Sequence, residues 1–148
     1  MKQPRFGIVV SRFNEEITGK LHANCVRALK KKGVAGNRIH TVWVPGGFEI
    51  PWAAQELARS GRFDAVICLG AVLKGQTPQN DYISNATYIH IQRISLQTRV
   101  PCVVGVITPK TYAQAVARTR GKFDRGAEAA LAALEMARLK IHGAVKKG

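Results

Sequence analysis

Five successive apolar residues, Ala65-Val66-Ile67-Cys68-Leu69, fit a strand covered on both faces. A strand with one wet face alternates polar and apolar residues, and this run does not. Similar runs recur at residues 6–10, 39–44 and 100–107. Helical patterns lie between them. Ile17, Leu21, Cys25 and Leu29 form one stripe and predict a helix to about residue 32, ended by Gly33 and Gly36. Pro51 suits the first turn of a helix reaching about residue 60, stopped by Gly61. Tyr82, Ile83, Ala86, Ile89, Ile91, Ile94 and Leu96 predict a helix apolar on more than one side, with one face for the core and the rest for a subunit contact. After the fourth strand, Thr108-Pro109 turns into a helix through Arg118. A basic link, residues 119–125, leads to a last helix with Ala127, Leu131, Leu134 and Ile141 on its apolar stripe. The order β-α-β-α-β-α-β-α-α predicts an α/β fold: a four-stranded parallel sheet with right-handed crossovers and helices on both faces. Residues 1–148 read as one domain.

The chain carries Lys+Arg 23 against Asp+Glu 9, a net charge of +14. Such a balance attracts polyanions. Much of it, however, sits at residues 30–32 and 138–147, the ends of two predicted helices, where cations complement the helix dipole. No zinc-finger spacing or RNA-motif aromatic pattern accompanies it, so nucleic-acid contact is expected to be non-specific at most. Cys25, Cys68 and Cys102 lie in apolar contexts without CxxC spacing. That argues against a disulfide framework or a metal site and for buried, reduced thiols in a cytoplasmic protein. No apolar run is long enough for a membrane span, and residues 1–10 do not read as a signal peptide.

In an open parallel sheet, ligands sit where loops leave the carboxyl ends of strands. Three such loops are Ser11-Arg12-Phe13-Asn14, Pro45-Gly46-Gly47-Phe48-Glu49 and residues 74–79. They offer two aromatic rings (Phe13, Phe48), a carboxylate (Glu49), a cation (Lys74) and a hydroxyl (Thr77). This set suits a flat polar ring plus an anion such as phosphate, received by backbone N–H groups at a helix start. Plain packing for the rings, a helix start for Glu49 and a turn for Gly46-Gly47 are the alternative readings. His22, His40, His90 and His142 lie outside these loops and read as structural or solvated. No Ser-His-Asp, HExxH or Walker pattern occurs, and Lys74-Gly75-Gln76-Thr77-Pro78 lacks P-loop spacing.

The stretches FGIVVSRFNEEIT, WVPGGFEIPWAAQELA, FDAVICLGAVLKGQTPQNDY, GVIT and RGAEAALAALEMA, in this order, resemble the lumazine synthase family over about residues 6–140. The resemblance implies a flavodoxin-like three-layer fold, assembled as pentamers and in some members as a sixty-subunit icosahedral shell. It implies condensation of 5-amino-6-(D-ribitylamino)uracil with 3,4-dihydroxy-2-butanone 4-phosphate, without a cofactor, at sites between neighbouring subunits. By motif, Phe13 would stack on the pyrimidine with Asn14 beside it, and Gly47, Phe48 and Glu49 would hold the ribityl chain and ring. Val72, Leu73 and Lys74 would line the floor. Gln76 and Thr77 would offer N–H groups to phosphate, and Arg118 would bind phosphate from the adjacent subunit.

This chain departs from the family pattern at several points. Gln79 stands where the family usually has the proton-transferring His, followed by Asn80 in place of an aromatic residue. Val104 replaces the Phe that often lids the ring, the link at 120–126 is one residue shorter, and little chain precedes Phe6 to pair with a neighbour's sheet. An amide cannot titrate near neutral pH, so slowed turnover is expected. The second reading is a non-catalytic or engineered shell or binding scaffold with a basic surface.

Overall fold

The computed structural model describes residues 3–75 and 78–143, the side chain of His142 excepted. Four parallel strands, β1 (Phe6–Ser11), β2 (Ile39–Val44), β3 (Ala65–Ala71) and β4 (Cys102–Ile107), pair in the order β2-β1-β3-β4. Among the described residues five α-helices accompany them: α1 (Glu15–Lys31), α2 (Ile50–Arg59), α3 (Gln79–Thr98), α4 (Tyr112–Ala117) and α5 (Arg125–His142). This is the expected flavodoxin-like arrangement. Register explains why β3 reads as uninterrupted apolar sequence. Its neighbours are β1 (Ile8 opposite Ile67) and β4 (Leu69 opposite Gly105), and all seven of its residues are buried.

Alternate residues of each strand feed two cores. Phe6, Ile8, Val10, Ala65, Ile67 and Leu69 face α1 and α5, where they meet Ile17, Leu21, Cys25 and Leu29 as the α1 stripe predicts. Val9, Val66, Cys68 and Val106 face α2 and α3, against Ile50, Ala54, Leu57, Ile91 and Ile94. Burying each large aliphatic side chain stabilises the fold by about 1.5–3 kcal/mol, so both layers are strongly specified. Burial raises the Cys25 and Cys102 thiols to about 12, Cys25 also feeling Asp124, and pushes Cys68 well above the usual thiol range. All three are free, buried and protonated at neutral pH. His22 is half-buried, and burial lowers its pKa; its Nε2 lies 2.9 Å from Thr41 Oγ1 and its ring meets Trp43 edge-on.

The last helix corrects the expected stripe. Leu134 is inside, but Leu131 is 46% exposed and the buried face is made of Ala129, Ala130, Ala133 and Ala137. Small residues there bring α5 close to its neighbours. A Cβ on Gly126 would overlap the carbonyl oxygen of Leu21 in α1, and one on Gly105 of β4 would lie 3.1 Å from Ala129 Cβ. Two smaller differences concern helix limits. α3 begins at Gln79 rather than Tyr82, and α4 occupies only Tyr112–Ala117, with Arg118 as its C-cap.

The close α1–α5 approach makes a testable contrast. Gly126→Ala should destabilise by about 1–3 kcal/mol through overpacking. Gly19, inside α1, has open space where its Cβ would go. Gly19→Ala should stabilise by about 0.5–1 kcal/mol, from helix propensity. Urea midpoints of the two variants, moving in opposite directions, check the packing.

Candidate active site

Strand order reverses between β1 and β3: from β1 the chain passes to β2 on one side, then back across to β3 on the other. The loops leaving β1 and β3 therefore part at this switch point, with the loop after β2 beside them. Backbone bonds fix all three. Arg12 N–H donates to Val44 O at 2.8 Å and Phe13 N–H to Pro45 O at 3.0 Å. Asn14 sits in the left-handed region, at φ 61, which Asn tolerates better than most residues. From there its Nδ2 donates to Ala71 O at 3.1 Å, joining β1's loop to β3's end. Thr87 of α3 shares its hydroxyl proton between Ile83 O at 2.7 Å and Gly47 O at 3.1 Å, and Asn80 Nδ2 donates to Leu73 O at 2.5 Å. Gly47 has little room for a side chain, since a Cβ would lie 3.2 Å from a methyl of Val72.

These ties enclose a cavity of about 770 Å³ that brings together Phe13, Asn14, Gly47, Phe48, Glu49, Val72, Leu73 and Gln79. Pro45, Gly46, Asn80 and Ile83 complete much of its wall. Phe13 and Phe48 are 71% and 67% exposed, so neither ring is spent on the core. Glu49 is half-buried, and it is the one ionisable side chain among the described residues that line this cavity. Rings, amides and a carboxylate favour a flat heterocycle with N–H donors.

Arg118 is elsewhere. A second cavity, of about 650 Å³, lies beyond β4 and holds Arg118 with Lys110, Arg125, Tyr88, Gln114 and Phe123. The Arg118 guanidinium carbon stands 5.8 Å from the centre of the Phe123 ring. Arg125 is braced by Glu128 at 2.7 Å and by Val104 O at 2.9 Å. No carboxylate lines this cavity among the described residues, so it suits an anion with several oxygens. Lys74 lines neither space. It is exposed, and its N–H donates to Pro109 O at 2.8 Å, on the segment between the two cavities. Val104 is half-buried against the α2–α3 core and enters neither. Gln76 and Thr77 lie outside the described residues.

A family model described as 6,7-dimethyl-8-ribityllumazine synthase matches residues 3–141. The chain belongs to the 6,7-dimethyl-8-ribityllumazine synthase family. A protein of that name from Thermosynechococcus vestitus is 48% identical over 140 residues, covering 92% of this chain and 79% of the relative. Lumazine synthase membership makes the chain a transferase of riboflavin biosynthesis.

Sequence reasoning found the loops around the first cavity but missed Ile83 there and Tyr88, Lys110, Gln114 and Arg125 in the second. Ile83 reads as helix core and Arg125 as part of a basic link. Tyr88 lies on a helix already read as multi-sided, and nothing in its spacing marks a cavity. The one signal at hand for the second cavity was position, since Lys110 and Gln114 follow the carboxyl end of β4. Among the described residues no group of His, Cys, Asp and Glu gathers to hold a metal ion, and no helix is long and apolar enough to cross a membrane.

Proposed function

We propose that the chain condenses 5-amino-6-(D-ribitylamino)uracil with 3,4-dihydroxy-2-butanone 4-phosphate to 6,7-dimethyl-8-ribityllumazine, at a site shared by two subunits. The observation that carries this reading is the division of chemistry between the cavities. Among the described residues, one has a single carboxylate and no cation beside its rings, and the other has three cations and no carboxylate. In this reading Phe13 stacks on the pyrimidine, with Asn14 holding its loop. Phe48, Glu49 and the backbone at Gly47 hold the ring and ribityl chain, over a floor of Val72 and Leu73. Gln76 and Thr77 N–H groups, Lys74 and the neighbour's Arg118 receive the phosphate. Val104 stands on the strand behind the neighbour's cavity, where it leaves the ring without an aromatic lid. The amine attacks the ketone, phosphate leaves, and the ring closes with loss of water. No cofactor enters. Binding two substrates side by side supplies much of the rate by proximity.

Assembly follows from the same split, since one chain's two cavities would face different neighbours around a closed ring. Exposed apolar side chains on α3 (Tyr82, Ile89, Leu96) and α5 (Leu131, Met136, Leu139) support such contacts. We take the ring to be a pentamer, with a sixty-subunit shell as its larger form. One domain spans residues 1–148, and three buried free thiols fit the reducing cytoplasm. The scaffold reading is favoured by one observation: no His is among the described residues lining the first cavity.

Gln79, exposed at the first residue of α3, lines the first cavity and cannot exchange a proton at neutral pH. Synthesis should therefore be slow but measurable by lumazine absorbance. Gln79→His should raise kcat by about tenfold or more, with KM less changed, because general acid–base help acts in the transition state. Unchanged turnover would remove the imidazole as the limiting defect. Absence of pyrimidine binding in both proteins would leave the scaffold reading. Arg118→Ala should weaken use of the phosphorylated substrate by about 10–100-fold, the worth of a charge-assisted hydrogen bond. Pyrimidine affinity should hold, and equal losses for both substrates would take Arg118 out of this role.

A further inference from the structure

The acidic side chains of this chain are not spread evenly over the fold: six of the nine stand at helix starts, beside cations such as Lys110, Arg118 and Arg125, and three at the other end. All strands are parallel, and α1, α2, α3 and α5 run back along the sheet, so these helices start at its carboxyl end and finish at its amino end. Acidic residues follow the starts. Glu15 and Glu16 open α1, Glu49 precedes α2, Asp81 lies in the first turn of α3, and Asp124 and Glu128 open α5. Cations follow the finishes. Lys30, Lys31 and Lys32 close α1, Arg59 closes α2, and Arg99 caps α3. Arg138 and Lys140 are exposed near the end of α5. Arg5, Arg38 and Arg62 stand just ahead of β1, β2 and β3. In sequence each group complements its own helix dipole. In the fold they share one end of the molecule.

Contacts make that end continuous. Lys30 Nζ would lie 3.8 Å from a Cβ on Gly36, in the short turn that finishes with Arg38. Arg38 donates from its guanidinium to Gln3 O at 2.8 Å. Two residues on, Arg5 N–H donates to Asp64 Oδ2 at 2.8 Å, and Asp64 Oδ1 lies 3.7 Å from Lys140 Nζ. Lys32 and Arg138 line one groove between α1 and α5, which they share with Glu135. Three acids offset part of this charge: Asp64 beside Lys140, Glu135 in the groove, and Glu56 one turn before Arg59, which leaves the cations of the belt in clear excess. The helix dipoles offset a further part. At about half a charge each, α1, α2, α3 and α5 together subtract about two charges.

We infer that this amino-end belt is a docking surface for double-stranded nucleic acid, held through its phosphates without reading sequence. A duplex presents one negative charge per about 1.7 Å of axis, which a broad field of cations can match at several points. Single strands are held by stacking on exposed aromatic rings. The exposed Phe, Tyr and Trp side chains of this protein, such as Phe13, Phe48, Tyr112 and Phe123, lie away from the belt. The belt is built from helix ends and strand starts, and among the described residues no helix is laid across it to enter a groove, so phosphates rather than base edges are its targets. It lies at the opposite end of the strands from both cavities, so the inference does not depend on the active-site reading.

The test is fluorescence anisotropy of the assembled protein with a labelled duplex of about 20 base pairs, over a salt series. The logarithm of affinity should fall with the logarithm of salt at a slope of about −4 or steeper, equally for two unrelated sequences. Lys31→Glu with Arg62→Glu should lose about tenfold or more in affinity and flatten the slope by about two. Lys20→Glu with Lys122→Glu makes the same change in net charge away from the belt and should stay within about threefold of wild type. An unchanged circular-dichroism spectrum and oligomeric size for the Lys31→Glu, Arg62→Glu protein would show that its fold is intact. Equal losses in the two double variants would overturn the inference. So would binding insensitive to salt, or tighter binding of a single strand of equal length or of anionic phospholipid vesicles.

Discussion

The covering of β3 on both faces is the constraint on which the rest depends. A strand buried along its whole length needs a partner strand on each edge and helices above and below. With short connections available, the solution is a parallel sheet, and a parallel sheet has polarity. Every loop that leaves a strand's carboxyl end appears at one end of the molecule, and the finishes of α1, α2, α3 and α5 appear at the other. The candidate site and the basic belt are the two products of that polarity. Neither requires a special local structure. They need only different residues at the two kinds of helix end.

The two cavities differ in the interactions they offer. The first presents surface that water does not favour: two rings more than two-thirds exposed, beside a lone carboxylate. Such rings cost solvation while the site is empty and recover it when a flat ligand stacks on them. The second gathers Lys110, Arg118 and Arg125, cations whose mutual repulsion a bound anion relieves. Within one chain β4 and its loop stand between the two spaces, with the exposed Lys74 on the segment that joins them. A substrate pair in which one partner is a heterocycle and the other carries phosphate matches this division. A shared site between subunits would let one ligand touch both.

The fold was largely legible because its strongest signals are long-range and redundant. Four apolar runs, one clear stripe on α1 and glycine stops all point to the same layers. The stripe on α5 differs from expectation for a physical reason. Large apolar residues at helical spacing point to the core, whereas close helix packing puts Gly126 and the alanines inside and leaves Leu131 out. The site was legible in part. Phe13, Phe48 and Glu49 stand at strand ends, where topology alone directs attention. Asn80 and Tyr88 act through geometry that spacing does not carry: a bond from Asn80 to Leu73 O, and one from the Tyr88 hydroxyl to Val106 O. The charge was legible as clusters at helix ends, but a sequence lists those ends one at a time and only the fold brings them together.

The central claim is that each working site joins the ring-lined cavity of one subunit to the cationic cavity of the next. Co-assembly of two defective chains tests it most directly. Glu49→Gln should disable the first half-site and Arg118→Ala the second, each leaving the other half intact. In a randomly mixed closed ring, about a quarter of the sites would pair two intact halves. Lumazine formation by the co-assembled protein should rise well above that of either parent, toward about a quarter of the wild-type rate. Activity no higher than the average of the two parents would contradict a shared site and return both halves to a single subunit.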